Sequence, residues 1–143
     1  MEMSVRKLEA GRAEYAFKCA KEGRDIAAGR EIDGKKYRDG DYRSRVRKLP
    51  SMVLVNGLGQ TLAFIASKRQ KEEGKEKNAY DLVYKQLSDY FSKECLSIKM
   101  PEGRDLCEWV ISLDSQDYRQ VTNEALAFLS WLGRFTEALI EGE

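Results

Sequence analysis

The chain has 143 residues, a formal net charge of +1 and 34% charged side chains. This length fits one domain with its own core, so we predict a single helical domain over residues 1–143. The sequence contains no histidine, the commonest general base and the usual nitrogen ligand of zinc. We therefore expect a protein that is not an enzyme, with no catalytic residues, no metal and no cofactor.

The three cysteines, Cys19, Cys95 and Cys107, are odd in number and widely spaced. Such spacing disfavours the disulfide framework of a small secreted domain and indicates a reducing compartment. The N-terminal residues also lack the apolar stretch of a signal peptide. We expect a cytoplasmic protein that does not enter a membrane.

Taken in order, the chain begins with a predicted helix over residues 4–22. Ser4 is its expected cap, and Gly23 is a plausible stop, although residues 24–28 could add another turn. Residues 29–41 combine three glycines with charged side chains and predict an exposed loop. The residue before a proline avoids helical geometry, so we place a boundary near Leu49.

Residues 49–69 form the longest apolar run, and we predict one central helix that starts at Pro50 and is wrapped by the other helices. Gly57 and Gly59 cost roughly 1 kcal/mol each inside a helix, which suggests that a neighbouring backbone approaches closely there. A strand followed by a nucleotide-binding glycine turn is a rival interpretation. It is disfavoured because Leu62 occupies the third glycine position of that fingerprint.

The second half of the chain contains three further predicted helices. Asn78 with Asp81 opens the first, Asp105 with Glu108 opens a short one, and the last covers about residues 115–141. No segment alternates apolar and polar residues with a period of two. The fold class is therefore all-α, a compact bundle of about six helices around the central apolar helix.

The basic residues provide the first candidate site, since Lys and Arg can displace counterions from a phosphate backbone and aromatic rings can stack on bases. Tyr37 and Tyr42 lie among these cations and are candidates for such stacking. A solvated charged face is the alternative interpretation. The full cation set is Lys35, Lys36, Arg38, Arg43, Arg45, Arg47, Lys48, Lys68, Arg69 and Lys71.

A second set of residues could form an aromatic ligand cage, but its helical spacing favours core packing. Its members are Trp109, Tyr118, Phe128, Trp131 and Phe135.

Two blocks of sequence resemble a known family. KLPSMVLVNGLGQTLAFIASK at residues 48–68 and YRQVTNEALAFLSWLGRFTEALIEG at residues 118–142, in this order, resemble the small subunit of the Cmr complex. This complex is the type III-B CRISPR effector, an RNA-guided and RNA-targeting assembly.

The resemblance implies a non-catalytic, antiviral structural subunit of helical fold. It would stack on copies of itself and on other Cmr subunits and help to line the channel for guide and target RNA. The residues expected to bind the RNA backbone are Arg43, Arg45, Arg47, Lys48, Lys68 and Arg69. The alternative is a helical protein-interaction adaptor without direct nucleic-acid contact. A third hypothesis, a small-molecule enzyme, would need a pocket at Gly57.

Overall fold

A computed structural model of the chain describes residues 5–27, 31–32, 35–36, 39–69, 78–93 and 97–140, with side chains at 11–25, 42–69, 78–93 and 97–140. The six helices of these segments confirm the all-α class. They are α1 (Val5–Ala27), α2 (Asp39–Asn56), α3 (Leu58–Lys68), α4 (Ala79–Phe91), α5 (Leu106–Ile111) and α6 (Ser115–Leu139). Two strands of two residues each, β1 (Glu31–Ile32) and β2 (Lys35–Lys36), pair in antiparallel fashion. Ser4, Tyr37, Arg38, Lys71 and Cys95 lie outside the described residues.

The predicted loop over residues 29–41 is wrong where its residues are described, because it contains the two short strands and the start of α2. The plausible stop at Gly23 is also wrong, since α1 continues to Ala27. Gly23 lies where α1 meets α2, and a Cβ at this position would stand 2.5 Å from ring carbons of Tyr42. The glycine therefore permits a close approach of two helices instead of ending one.

The prediction of one central helix starting at Pro50 is wrong, as is the boundary near Leu49. The segment forms two helices, and Pro50 lies inside α2. An internal proline removes a backbone hydrogen bond and costs about 3 kcal/mol. The helix nevertheless continues, because Val46, Leu49 and Val53 place a buried apolar stripe on both sides of the proline.

Gly57 separates α2 from α3 with φ of 90° and ψ of 158°, a conformation that is open almost only to glycine. Its carbonyl accepts hydrogen bonds from the backbone N–H of Thr61 at 3.1 Å and from the Thr61 hydroxyl at 2.8 Å. The following helix, α3, buries Leu58, Leu62 and Ile65 and packs against α2, α4 and α5. The predicted central position is thus shared by two helices, since α2 also packs against α1, α4 and α6.

Side-chain caps begin the later helices at the predicted places. Asn78 and Asp81 form a reciprocal capping box at α4, with hydrogen bonds of 2.9 and 3.1 Å. The Asp105 carboxylate accepts from the backbone N–H of Glu108 at 3.2 Å and starts α5. Asp114 caps α6 in the same way. These caps confirm the predicted helix starts.

An aromatic core joins α1, α4 and α6. The rings of Tyr90 and Phe128 are stacked with centroids 4.3 Å apart, and Tyr15 packs beside both. Beside the rings, Arg12 on α1 makes two hydrogen bonds, of 3.0 and 2.9 Å, to the Glu124 carboxylate on α6. The Tyr90 hydroxyl donates to the same carboxylate. Core packing of the predicted aromatic set is confirmed for Phe128, and Trp109 is also buried. Its remaining members are partly buried against that core, namely Tyr118, Trp131 and Phe135.

Candidate nucleic-acid interface

The sequence from Tyr42 to Arg69 contains six Lys or Arg residues and no Asp or Glu. We call these residues the six-cation set: Arg43, Arg45, Arg47, Lys48, Lys68 and Arg69. Within the described part of the chain, no carboxylate forms an ion pair with any of them. No carboxylate of the described residues neutralises their positive charge.

The four cations of α2 do not share one surface. Successive residues of an α-helix are rotated by about 100°. With the buried stripe of Val46 facing inwards, Arg43 and Arg47 fall on one flank of α2, and Arg45 and Lys48 fall on the other. The structure thus divides the predicted basic run into two pairs.

The Arg45 flank meets aromatic residues of α3 and α4. The guanidinium carbon of Arg45 lies 5.1 Å from the centroid of the Tyr80 ring. Phe64 contacts Tyr80 edge to face, with centroids 5.9 Å apart, and Lys68 Nζ lies 5.7 Å from the Phe64 centroid. We call Arg45, Phe64, Lys68 and Tyr80 the Phe64 cluster. It alternates cations and rings, which is the composition of surfaces that bind single-stranded nucleic acid.

Arg69 is held next to this cluster by Tyr84, one helical turn after Tyr80. Its guanidinium carbon lies 3.9 Å from the Tyr84 ring centroid, within the range of a strong cation–π contact. The Tyr84 hydroxyl donates to Asp105 at 2.7 Å and accepts from the backbone N–H of Cys107 at 3.0 Å. Burial, followed by the hydrogen bond to Asp105, raises the pKa of Tyr84 above its ordinary value. The ring is therefore a fixed, neutral support for Arg69.

The structure consequently brings Arg45, Lys68 and Arg69 together around α4. Lys48, on the same flank of α2 as Arg45, and Arg47, on the opposite flank, are both exposed. Arg43 is half-buried, and its Nε lacks a described hydrogen-bond partner.

The predicted stacking residues are not the ones that the fold provides. Tyr42 is fully buried, and its hydroxyl donates to Gln86 Oε1 and lies 3.4 Å from the Cys19 carbonyl oxygen, so its interpretation as a stacking residue is wrong. Phe64, which lies in the apolar run predicted as a central helix, is instead an exposed ring beside these cations. Its spacing of four residues from Lys68, together with the same spacing between Tyr80 and Tyr84, is the signal that could have found the cluster.

Gly57 and Gly59 of the central segment lie close to side chains of neighbouring helices. The hydroxyl oxygen of Tyr118 would lie 3.3 and 3.4 Å from Cβ atoms added at Gly57 and Gly59. Ile111 of α5 would also lie 3.4 Å from a Cβ at Gly59, so the close neighbours of these glycines are side chains of α5 and α6 and not a backbone. Tyr118 also lines a cavity of about 490 Å³, together with Leu113 and Arg119.

Metal binding and membrane insertion were considered for the residues that the structure describes. No group of three or more His, Cys, Asp or Glu side chains among them is arranged to hold a metal ion. No helix that these segments contain is both long and apolar enough to cross a membrane.

Comparisons with known proteins identify the family. A family model described as CRISPR-associated protein (Cas_Cmr5) matches residues 8–139. The chain is 34% identical over 102 residues to the CRISPR system Cmr subunit Cmr5 of Thermus thermophilus, a match that covers 71% of this chain and 77% of that protein.

The fold agrees with this match. The crystal structure of a CRISPR-associated Cmr5 family protein from Thermus thermophilus superposes with a TM-score of 0.67 at 30% identity. The superposition covers 97% of this chain and 100% of that one. The class is thus that of small, all-helical CRISPR-associated proteins. The chain belongs to the Cmr5 family, which confirms the resemblance of its two sequence blocks.

Proposed function

We propose that this chain is a non-catalytic subunit of a cytoplasmic Cmr effector complex, folded as one helical domain over residues 1–143. It contacts other Cmr subunits and further copies of itself along the assembly, and it helps to line the channel for guide and target RNA. Membership of the Cmr5 family supports the assembly role. The observation that supports RNA contact is the six-cation set, which has no Asp or Glu within its stretch of sequence.

Unpaired cations suit a phosphate backbone for a simple electrostatic reason. A cation that already faces a carboxylate must give up that partner before it binds phosphate, whereas the six-cation set has no described ion pair to break. Each phosphate that it neutralises releases a condensed counterion, so binding weakens as salt rises. One copy offers few contacts, and several stacked copies would add theirs along one strand.

The experiment is a salt titration of single-stranded RNA binding, made with the isolated chain and with the reconstituted Cmr complex. A triple variant, Arg45→Ala/Lys68→Ala/Arg69→Ala, removes the cations around α4. A double variant, Arg43→Ala/Arg47→Ala, removes the opposite flank of α2. The charge-matched control is Lys18→Ala/Lys21→Ala/Arg119→Ala, which removes three cations from α1 and α6.

We expect the triple variant to assemble normally, bind RNA less tightly and show a shallower salt slope. On single strands the slope changes by roughly 0.7 for each lost phosphate contact, so three lost contacts reduce it by about 2. The control should keep the wild-type slope. Equal slopes for all variants in both settings would contradict the RNA contact and would assign these cations to subunit contacts or to solvent.

The alternative function is a helical adaptor that binds only proteins. One observation favours it, because Leu54 and Val55 at the end of α2 remain 73% and 81% exposed. Exposed apolar side chains of this size are suited to a protein contact. If the triple variant binds RNA as wild type does, whereas Leu54→Ser/Val55→Ser impairs assembly, the adaptor function is the correct one.

A further inference from the structure

Phe64 is an apolar side chain in an unusual setting. The other large apolar residues of α3, Leu58, Leu62 and Ile65, are 1% exposed, but Phe64 is 38% exposed. A single exposed apolar residue is ordinary on a protein surface. What distinguishes Phe64 is that Lys68 lies over its ring and that the neighbouring Tyr80 ring carries Arg45.

The orientation of the Phe64 ring is fixed by its neighbours. Tyr80 meets it at an interplanar angle of 82°, the edge-to-face arrangement that aromatic pairs prefer. Tyr80 is itself half-buried on α4 and receives the Arg45 guanidinium. A ring that is held in place loses little conformational freedom when a flat ligand stacks on it.

We propose that Phe64 is a base-stacking residue and that the Phe64 cluster binds single-stranded RNA, with one unpaired base on Phe64 and the flanking phosphates on Arg45 and Lys68. The proposal rests on the RNA contact proposed above and adds that the bound strand is unpaired. Bases within a duplex are stacked on each other and cannot reach a protein ring, whereas an unpaired base can. Because every base has a π face, the contact should tolerate any sequence.

Charge distinguishes this site from the other exposed aromatic of the described surface. Phe17 on α1 is 42% exposed, and it packs edge to face on Phe135 at 5.3 Å. No described cation lies over the Phe17 ring, whereas Phe64 has Lys68 on its own helix and Arg45 beyond Tyr80. Of these two exposed phenyl rings, only Phe64 has a described cation beside it. Phe17 is therefore the matched control.

The experiment separates the ring from its hydrophobic bulk. Phe64→Leu keeps apolar volume and loses the π face, Phe64→Trp keeps a π face, and Phe17→Leu makes the first change at the control site. Each variant is checked for an unchanged melting temperature and for assembly into the Cmr complex. The probes are a single-stranded RNA of about ten nucleotides, within the span of small single-strand sites, a duplex of the same length, and an abasic ribose-phosphate strand.

For the isolated chain at low salt and for the reconstituted complex, we expect Phe64→Leu to weaken single-strand binding by about 5- to 150-fold. Phe64→Trp should restore binding, and Phe17→Leu should leave it unchanged. The abasic strand should bind wild type and Phe64→Leu equally. The salt slope should be the same in both, since the phosphate contacts remain.

The outcomes distinguish this inference from the proposed function. If the Arg45/Lys68/Arg69 variant loses RNA binding but Phe64→Leu does not, the RNA contact stands and base stacking is overturned. If Phe64→Leu weakens the abasic strand or the duplex as much as the single strand, Phe64 acts only by positioning Lys68, and stacking is again overturned. If Phe64→Leu impairs assembly without changing RNA binding, the ring contacts a protein subunit and stacking is overturned. If wild type binds no RNA in either setting, both the proposed function and this inference fail.

Discussion

The backbone N–H of Gly59 donates a 2.8 Å hydrogen bond to the hydroxyl oxygen of Tyr118. The first N–H groups of a helix have no partner within that helix. A side chain from α6 therefore completes the start of α3, and it does so where Gly57 has turned the chain between two helices. This contact links α3 to the C-terminal helix through the hydroxyl group of Tyr118.

We predict that Tyr118→Phe lowers the free energy of unfolding by about 1 to 2 kcal/mol, because the N–H of Gly59 loses its acceptor. The matched control is Tyr80→Phe, since the Tyr80 hydroxyl makes no described hydrogen bond, and its effect should be within about 0.5 kcal/mol. Urea denaturation monitored by circular dichroism measures both. Equal midpoints for wild type and Tyr118→Phe would show that the hydrogen bond contributes nothing to stability.

Replacement of glycine by alanine should have opposite effects at two positions of α1, because Gly23 contacts α2 and Gly11 does not. Gly23→Ala places a methyl group 2.5 Å from the ring of the buried Tyr42, so it should cost about 1 to 3 kcal/mol. Gly11→Ala meets no atom within 4 Å and should stabilise α1 by about 0.5 to 1 kcal/mol. Thermal unfolding of the two variants should move in opposite directions. A stable Gly23→Ala protein would mean that Tyr42 can shift without loss.

The helix termini show which parts of the fold can be predicted from the sequence. A helix start depends on a side chain that accepts a hydrogen bond from the backbone N–H three residues later. This pattern is local, so Asn78, Asp105 and Asp114 mark three helix starts correctly. By local propensity, Gly23 predicts the end of a helix and Pro50 predicts the start of one. In both places the helix continues, because packing against other helices outweighs that propensity. The break at Gly57 follows from a backbone conformation that the sequence permits without requiring.

The candidate site shows the same limit. The cations could be listed from the sequence, because charge belongs to single residues. Their arrangement could not, because Arg45 meets Tyr80 and Arg69 meets Tyr84 only after α2, α3 and α4 pack together. For the same reason, Tyr42, expected to be exposed, is buried, and Phe64, expected in the apolar core, is exposed. Burial depends on which flank of a helix faces a neighbour.

Buried thiol and phenol groups predict a loss of stability at alkaline pH. Burial, with the nearby Glu22 carboxylate, raises the pKa of Cys19 to about 12 from an ordinary value of 9.0. Burial also raises the pKa values of Tyr15 and Tyr90 above their ordinary range. In each case the folded state holds the proton after the unfolded state has released it. The stabilisation is therefore complete below about pH 9 and is lost as pH rises further.

We expect the free energy of unfolding to fall by up to about 1.4 kcal/mol per pH unit for each such group. Urea midpoints at intervals from neutral pH to about pH 10.5 measure this slope, which lies in the range where unfolded Cys and Tyr titrate. Cys19→Ala removes one of the groups, so its stability should approach that of wild type as pH rises. A profile that is flat above pH 9, or a constant difference between the two proteins, would contradict the role of these buried groups.

The carboxylate shared by three helices gives the last prediction. Glu124 on α6 accepts two hydrogen bonds from Arg12 on α1 and one from Tyr90 on α4. The pKa of Arg12 is raised, chiefly by its hydrogen bond to Glu124. Glu124→Gln keeps the shape but leaves the guanidinium without its charged partner, so we expect a loss of about 2 kcal/mol. The pair is partly exposed, which keeps the loss below that of a fully buried ion pair.

The control is Glu108→Gln, which removes an exposed ion pair to Arg104, four residues earlier in the sequence. This change should cost about 0.5 kcal/mol or less. A double-mutant cycle with Arg12→Met then isolates the interaction between Arg12 and Glu124. A coupling energy near zero would show that the two residues stabilise α1 and α6 independently. A large coupling energy would mean that docking of α1 onto α6, the most extensive helix contact of the fold, depends on this one carboxylate.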